Sequence, residues 1–174
     1  MEEKKIKTGS FALTYGLILG AVSVIFALML YSMDMHYQGG LPVMIVSLAL
    51  TLIAIILGMY QFKKANRGYM TFGQGLKVGV GICLIGGIIG IVFNQLMANI
   101  IDPDMMEKAM AFQKEQLLAT TKMTEEQIDA QMEMGKKMGT PMMQVLIGLV
   151  FSVFIGFIFS LIPALALKKE EILN

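Results

Sequence analysis

The side chains able to do chemistry in this chain are few, and their spacing is poor for catalysis. A single imidazole, His36, and a single thiol, Cys83, serve all 174 residues. Hydrolytic centres in membranes need a Ser–His couple, an H-E-x-x-H pair or two facing aspartates. One histidine, with no acidic pair in the apolar segments, supplies none of these, and a non-enzymatic protein is expected. Without a second cysteine no intramolecular disulfide can form, and Cys83 reads as a small buried packing residue. Soft-ligand chemistry is the other option. Met105, Met106, Met110, Met123, Met132, Met134, Met138 and Met142 crowd one connection, and Met33 and Met35 precede His36 in another. Thioethers favour Cu(I), but they equally make adaptable apolar surfaces. The methionines do not recur in closely spaced clusters, so neither a metal site nor a cofactor is expected. Gly73-Gln74-Gly75 lacks the preceding strand and the spacing of a nucleotide-binding turn. A net charge of +1 with no basic stripe leaves nucleic acid without a footing.

What must position these residues is a set of helices in a bilayer. Four apolar runs, about 11–33, 41–62, 78–101 and 143–167, each match the roughly 20 residues that carry an α-helix across a hydrocarbon core. No charge lies in the middle of any run, and in lipid only helices or closed barrels satisfy the backbone. The hydrophobic fraction is 56% and the charged fraction 16%, the latter well below the roughly 25% of soluble domains. The expectation is all-α: one integral membrane four-helix bundle over 1–174, with an amphipathic helical loop between its third and fourth helices. The run after Lys4, Lys5 and Lys7 is too long for a signal-peptide core and no A-x-A site follows it, so it is read as an uncleaved first helix.

Basic residues set the orientation. Lys4, Lys5, Lys7, Lys63, Lys64, Arg67, Lys77, Lys168 and Lys169 fall on one side of a four-span layout. The other side holds a short loop without Lys or Arg and an acidic loop over 102–142. The positive-inside rule puts both termini in the cytoplasm and the 102–142 loop outside. Tyr15, Tyr31, Tyr60 and Tyr69 are expected near the interfaces. In the long loop, Asp102 reads as an N-cap with Pro103 in the first turn of a helix over 104–119. That helix gathers Met106, Met110 and Leu117 on one face, with Phe112 alongside. Thr124 to Gln127 reads as a capping box opening a second helix with Ile128 and Met132 on one side and a Glu133–Lys137 pair. Gly139 and Pro141 are expected to close that helix. Met106, Met110, Phe112, Ile128 and Met132 are the candidate partner surface.

Within the spans, small residues recur every four positions: Gly148, Ser152, Gly156, Ser160 and Ala164 in the fourth, and Gly79, Cys83, Gly86 and Gly90 in the third, ending at Asn94. Lipid supplies no hydrophobic drive for helix association, so such faces matter because they let backbones approach closely. Packing within one bundle is expected over dimerisation. Asn94 and Gln95 are the most polar residues deep in a span, and an interhelical hydrogen bond of about 0.6–2 kcal/mol is expected for them. Ion-coupled carriers place ionisable groups in their spans, and this chain has none there. Gly16 and Gly20 echo Gly75 and Gly79 weakly, which by itself does not establish a repeat of two hairpins.

The run Thr71-Phe72-Gly73-Gln74-Gly75-Leu76-Lys77-Val78-Gly79, followed a helix later by Ile101-Asp102-Pro103-Asp104, resembles the bacterial membrane family catalogued as domain of unknown function 4199. The resemblance covers nearly the whole chain, Tyr15-Gly16-Leu17 included, and rests on the order and spacing of short glycine-rich motifs. It implies a four-helix protein of a Gram-negative inner membrane in Bacteroidota, with the long loop in the periplasm. The family carries no assigned activity, so it implies no site residue. The function expected is an envelope component that binds a partner protein or lipid through its Met-rich helices, in contact with the bilayer and capable of homo-oligomerisation. The alternative is a small oligomeric carrier or channel with Asn94, Gln95 and the Ser/Thr faces lining its path.

Overall fold

The computed structural model describes residues 6–138 and 140–169, with the side chains of Lys137 and Met138 outside that description. Among the described residues there are six α-helices: α1 (Thr8–Ser32), α2 (Leu41–Ala65), α3 (Phe72–Leu96), α4 (Met105–Thr120), α5 (Glu125–Met138) and α6 (Pro141–Leu167). A π-helical turn, Met97–Ile101, continues α3. Four helices are long and apolar enough to span a membrane, the third running unbroken over Phe72–Ile101, or 30 residues. The chain is a multi-pass all-α membrane protein. Lys4, Lys5, Gly139 and the Glu133–Lys137 pair fall wholly or partly outside the described residues.

Three spans begin earlier than their apolar runs, and polar caps start two of them, α3 and α6. Thr71 caps α3: its hydroxyl accepts from the Gln74 N–H at 3.2 Å, and the Gln74 side chain accepts from the Thr71 N–H at 2.9 Å. The 72–77 segment is therefore the first turns of α3 and not part of a connection. Pro141 does not close α5. It opens α6, with the Thr140 hydroxyl accepting from the Met143 N–H at 3.3 Å. The Thr124–Gln127 box forms as expected, at 3.0 and 3.4 Å. Replacing Thr71 by Ala is expected to cost about 1 kcal/mol, read as a lower melting temperature in detergent; an unchanged melt would mean that lipid contacts alone set the start of α3.

α3 is the organising helix. It packs along α1 on one face and α6 on the opposite face, while α2 lies more lightly against all three. The contacts depend on missing side chains. A Cβ built on Gly16 would stand 2.6 Å from Ile85 Cβ, and one on Gly81 2.6 Å from Ala12 Cβ. On the other face, a Cβ on Gly75 would stand 2.8 Å from Ala164 Cβ, and Gly79 faces the Ser160 hydroxyl directly. Gly16 and Gly20 thus serve α3, whereas Gly75 and Gly79 serve α6. The glycine echo reflects close approach and not equivalent partners in two hairpins.

The buried core lies toward the end of the bundle where α1 begins and α6 ends: Ile55, Met59, Phe62, Met70, Val78, Ile82, Cys83 and Ala164. Tyr15 packs against this core. Met70 is fully buried, and its backbone pairs with Lys169 through two hydrogen bonds of 2.8 and 2.9 Å, tying the α2–α3 connection to the end of α6. α2 buries only residues of its second half, from Ala54 onward. Toward the opposite end the bundle opens.

Candidate functional site

The polar chemistry gathers at that opposite end, where α3 gives way to the α4–α5 arm. The π-helical turn closes with the Asp102 N–H donating to the Met97 carbonyl at 2.8 Å. Asp102 leaves it only 7% exposed, with its carboxylate against the first loop. Its Oδ2 lies 2.8 Å from His36 Nε2, and both its oxygens accept from Lys108 Nζ at 2.9 Å. Asp102 is therefore not the cap of the next helix, as the sequence suggested. Its oxygens are taken, and α4 begins at Met105 without a side-chain cap. The Lys108 ammonium holds the Asp102 carboxyl below its ordinary 3.8 against the opposing effect of desolvation, with His36 adding a smaller pull. Asp102 in turn holds Lys108 above its ordinary 10.5, helped by the charges of Asp104 and Asp34.

His36 is not the solvated residue expected of a lone loop histidine. Its side chain is 4% exposed. Tyr31 meets its ring edge-on at 4.9 Å and Tyr37 at 5.3 Å, and Tyr37 meets Phe112 of α4 at 6.4 Å. First loop, π turn and arm are thus joined by one carboxylate and one chain of rings. Farther out, Lys114 of α4 bridges to Asp129 at 2.6 Å and Glu125 at 3.3 Å, clamping α5 onto α4.

Two cavities lie beneath this root. The smaller, about 190 Å³, is lined by Ser23, His36, Asn94, Met97 and Met105 among others. The larger, about 270 Å³, lies between the four spans and includes Ser47, Thr51, Cys83 and Ser152. Ser23 and Gly90 line both. The larger cavity offers few free donors. Thr51 Oγ1 donates to the Ser47 carbonyl and Ser152 Oγ to the Gly148 carbonyl, each at 2.8 Å, within their own helices. Among the described residues no three of His, Cys, Asp and Glu stand together as metal ligands.

The residues singled out from sequence distribute unevenly. Gly148 faces Ile91, Ser152 faces Gly87, Gly156 faces Val80 and Cys83, Ser160 faces Gly79, and Gly86 faces Leu19. A Cβ on Gly90 would meet nothing within 4 Å; it lines the cavities and packs against no helix. Asn94 and Gln95 part company. Asn94 is on the wall of the smaller cavity, while Gln95 accepts from Asn99 in its own helix at 3.2 Å and lines an apolar groove beside α6. On the arm, Met106 is 44% exposed, Met110, Phe112 and Met132 are half-buried, and Ile128 is fully buried. Ile128 belongs to the interior of the arm and offers nothing to a partner. The Asp102–His36–Lys108 cluster was missed because 66 residues separate His36 from Asp102 and a π turn, invisible in the pattern, aims the carboxylate.

The profile of the family described as "Protein of unknown function (DUF4199)" matches residues 14–169. No curated protein and no solved structure gives a significant match. The match spans most of the chain, and the chain belongs to that family.

Proposed function

We propose that this DUF4199 member is a non-enzymatic, multi-pass protein of a bacterial inner membrane whose α4–α5 arm binds a protein partner or lipid in the periplasm. The observation that carries the reading is the construction of the arm. Two helices are packed on each other, clamped by Lys114, and joined to the rest of the protein at the π turn, the Asp102 root and the Tyr37–Phe112 ring contact. Met106, Leu118 and Met134 on the two helices, and Met123 between them, are exposed, a flexible apolar surface suited to a partner that must be fitted by repacking. Lys63, Lys64 and Arg67 at the end where α1 begins and α6 ends, against the acidic arm, support a cytoplasmic placement of that end. The envelope assignment draws on the family resemblance.

A carrier is the weaker reading. The two cavities share lining, but fully buried Met59, Phe62, Met70 and Ile82 block the way to the end where α1 begins and α6 ends. The spans also hold no Asp, Glu or His, and their lysines, Lys63, Lys64 and Lys77, lie near helix ends, so nothing in them is placed to couple a gradient. Photo-crosslinkers at Met106 and Met134, in native membranes, are expected to trap one dominant partner protein or anionic lipid. Adducts only within the chain itself would overturn the partner reading. Flux of any ion or metabolite through proteoliposomes would overturn the exclusion of transport.

A further inference from the structure

We propose that the smaller cavity is a Cu(I) site whose donors are His36 Nδ1 and the thioethers of Met97 and Met105. His36 Nδ1 is fully buried and has no hydrogen-bond partner in the protein, on a side chain only 4% exposed. The other ring nitrogen is fixed. Asp102 is bonded by Lys108 on both oxygens and can only accept, so Nε2 carries the hydrogen of the 2.8 Å contact. In the neutral imidazole Nδ1 is then a lone pair. A carboxylate that binds one nitrogen of a histidine, setting its tautomer and raising the basicity of the other, is the usual outer partner of a metal-ligating histidine.

The cavity wall decides which metal. Met97, 3% exposed on the π turn, and Met105, the first residue of α4, line it together with His36. No carboxylate and no thiol does: Asp102 is engaged with Lys108, and Cys83 lines the other cavity. Two soft thioethers with one borderline imidazole make a neutral donor set, which suits Cu(I) and poorly suits Mg(II) or Ca(II), or Zn(II), which thioethers hold weakly. The three donors come from the first loop, the end of α3 and the start of α4, so metal would bind those segments together. This site is independent of the arm's outer surface and stands or falls separately from partner binding.

The test uses the full chain in lipid nanodiscs, with Cu(I) held by ascorbate under anaerobic conditions and competed by bicinchoninate, and with Ag(I) as a second probe. One equivalent bound tighter than micromolar is expected, with a mixed nitrogen–sulfur shell by X-ray absorption. Met97→Leu and Met105→Leu conserve volume and leave the fold intact, and each is expected to weaken binding at least tenfold, roughly the effect of losing part of a metal's support. Met106→Leu, one position along α4 and outside the cavity, is expected to bind as the wild type does. No saturable binding by the wild type, a shell without nitrogen, or equal losses in Met106→Leu and Met105→Leu would each overturn the proposal.

Discussion

Gly156→Leu is expected to drive α6 off α3 and to give the largest loss of stability of any single change in the spans. A Cβ at Gly156 would already stand 2.8 Å from Cys83 Cβ and 3.0 Å from Val80 Cα. The second of these is backbone, so no rotamer change relieves it. Overpacking by even one carbon costs about 1–3 kcal/mol in a well-packed interior, and Gly156→Ala is expected in that range. The larger side chain cannot be accommodated at all without parting the helices. The effect is severe because close backbone approach is the attraction: between lipid-facing helices there is no hydrophobic term to compensate for lost van der Waals contact. Gly90→Ala is the internal control, since nothing lies within 4 Å of its Cβ, and it is expected to be neutral or slightly stabilising through helix propensity. Unfolding by denaturant in bicelles reads both. Equal stability of the two alanine variants would refute this account of the α3–α6 interface.

Asp102→Asn is expected to release the arm while leaving the spans intact. The substitution removes the charge on which Lys108 depends and leaves one acceptor oxygen where His36 and Lys108 now share two. A spin label at exposed Leu118 should show an arm that is mobile at every pH, and amide exchange over 97–112 should quicken on the order of tenfold, as when a hydrogen bond to a charged group is lost. The wild type has its own pH window. Asp102 has a folded pKa depressed below 3.8, so its contribution is present above the unfolded value and is lost as pH falls through the folded one. Lys108 is raised above 10.5, so its contribution is complete below that value and is lost as pH rises through its folded pKa. The label should therefore be ordered between about pH 4 and pH 10.5 and loosen at both extremes. An arm equally ordered in wild type and variant would mean that the Tyr37–Phe112 contact alone suffices.

Much of the fold was legible because the bilayer demands it: span count, and the Thr124 capping box, follow from length, apolarity and local polar chemistry. Thr71 and Thr140 were harder to read, since a capped turn at a membrane surface is polar and looks like a connection. The small-residue faces were legible as period-four patterns, yet Gly90 shows the limit. Periodicity gives a face, not what stands opposite it, and opposite Gly90 stands a cavity. Ile128 shows the same limit, because an amphipathic helix does not announce whether its apolar face meets its neighbour, as Ile128 does, or the outside, as Met106 does. The Asp102 cluster was out of reach. Its members lie on three elements, and Asp102 read alone makes a better helix cap than an ion-pair partner.

The length of the third span has a consequence for where the protein can reside. At about 1.5 Å per residue its 30 residues extend roughly 45 Å, against a hydrocarbon thickness of about 30 Å. The surplus must be taken up by tilt or by projection beyond the lipid tails. Asp102 is the residue immediately after that span, so it rides at its tip. In a thin bilayer the carboxylate and its lysine sit among hydrated headgroups; in a thicker one they are drawn toward hydrocarbon, where the pair must tighten or the helix must tilt less. Membrane thickness thereby becomes a mechanical input to the arm, and sorting of the protein among lipid domains would set how firmly the arm is held.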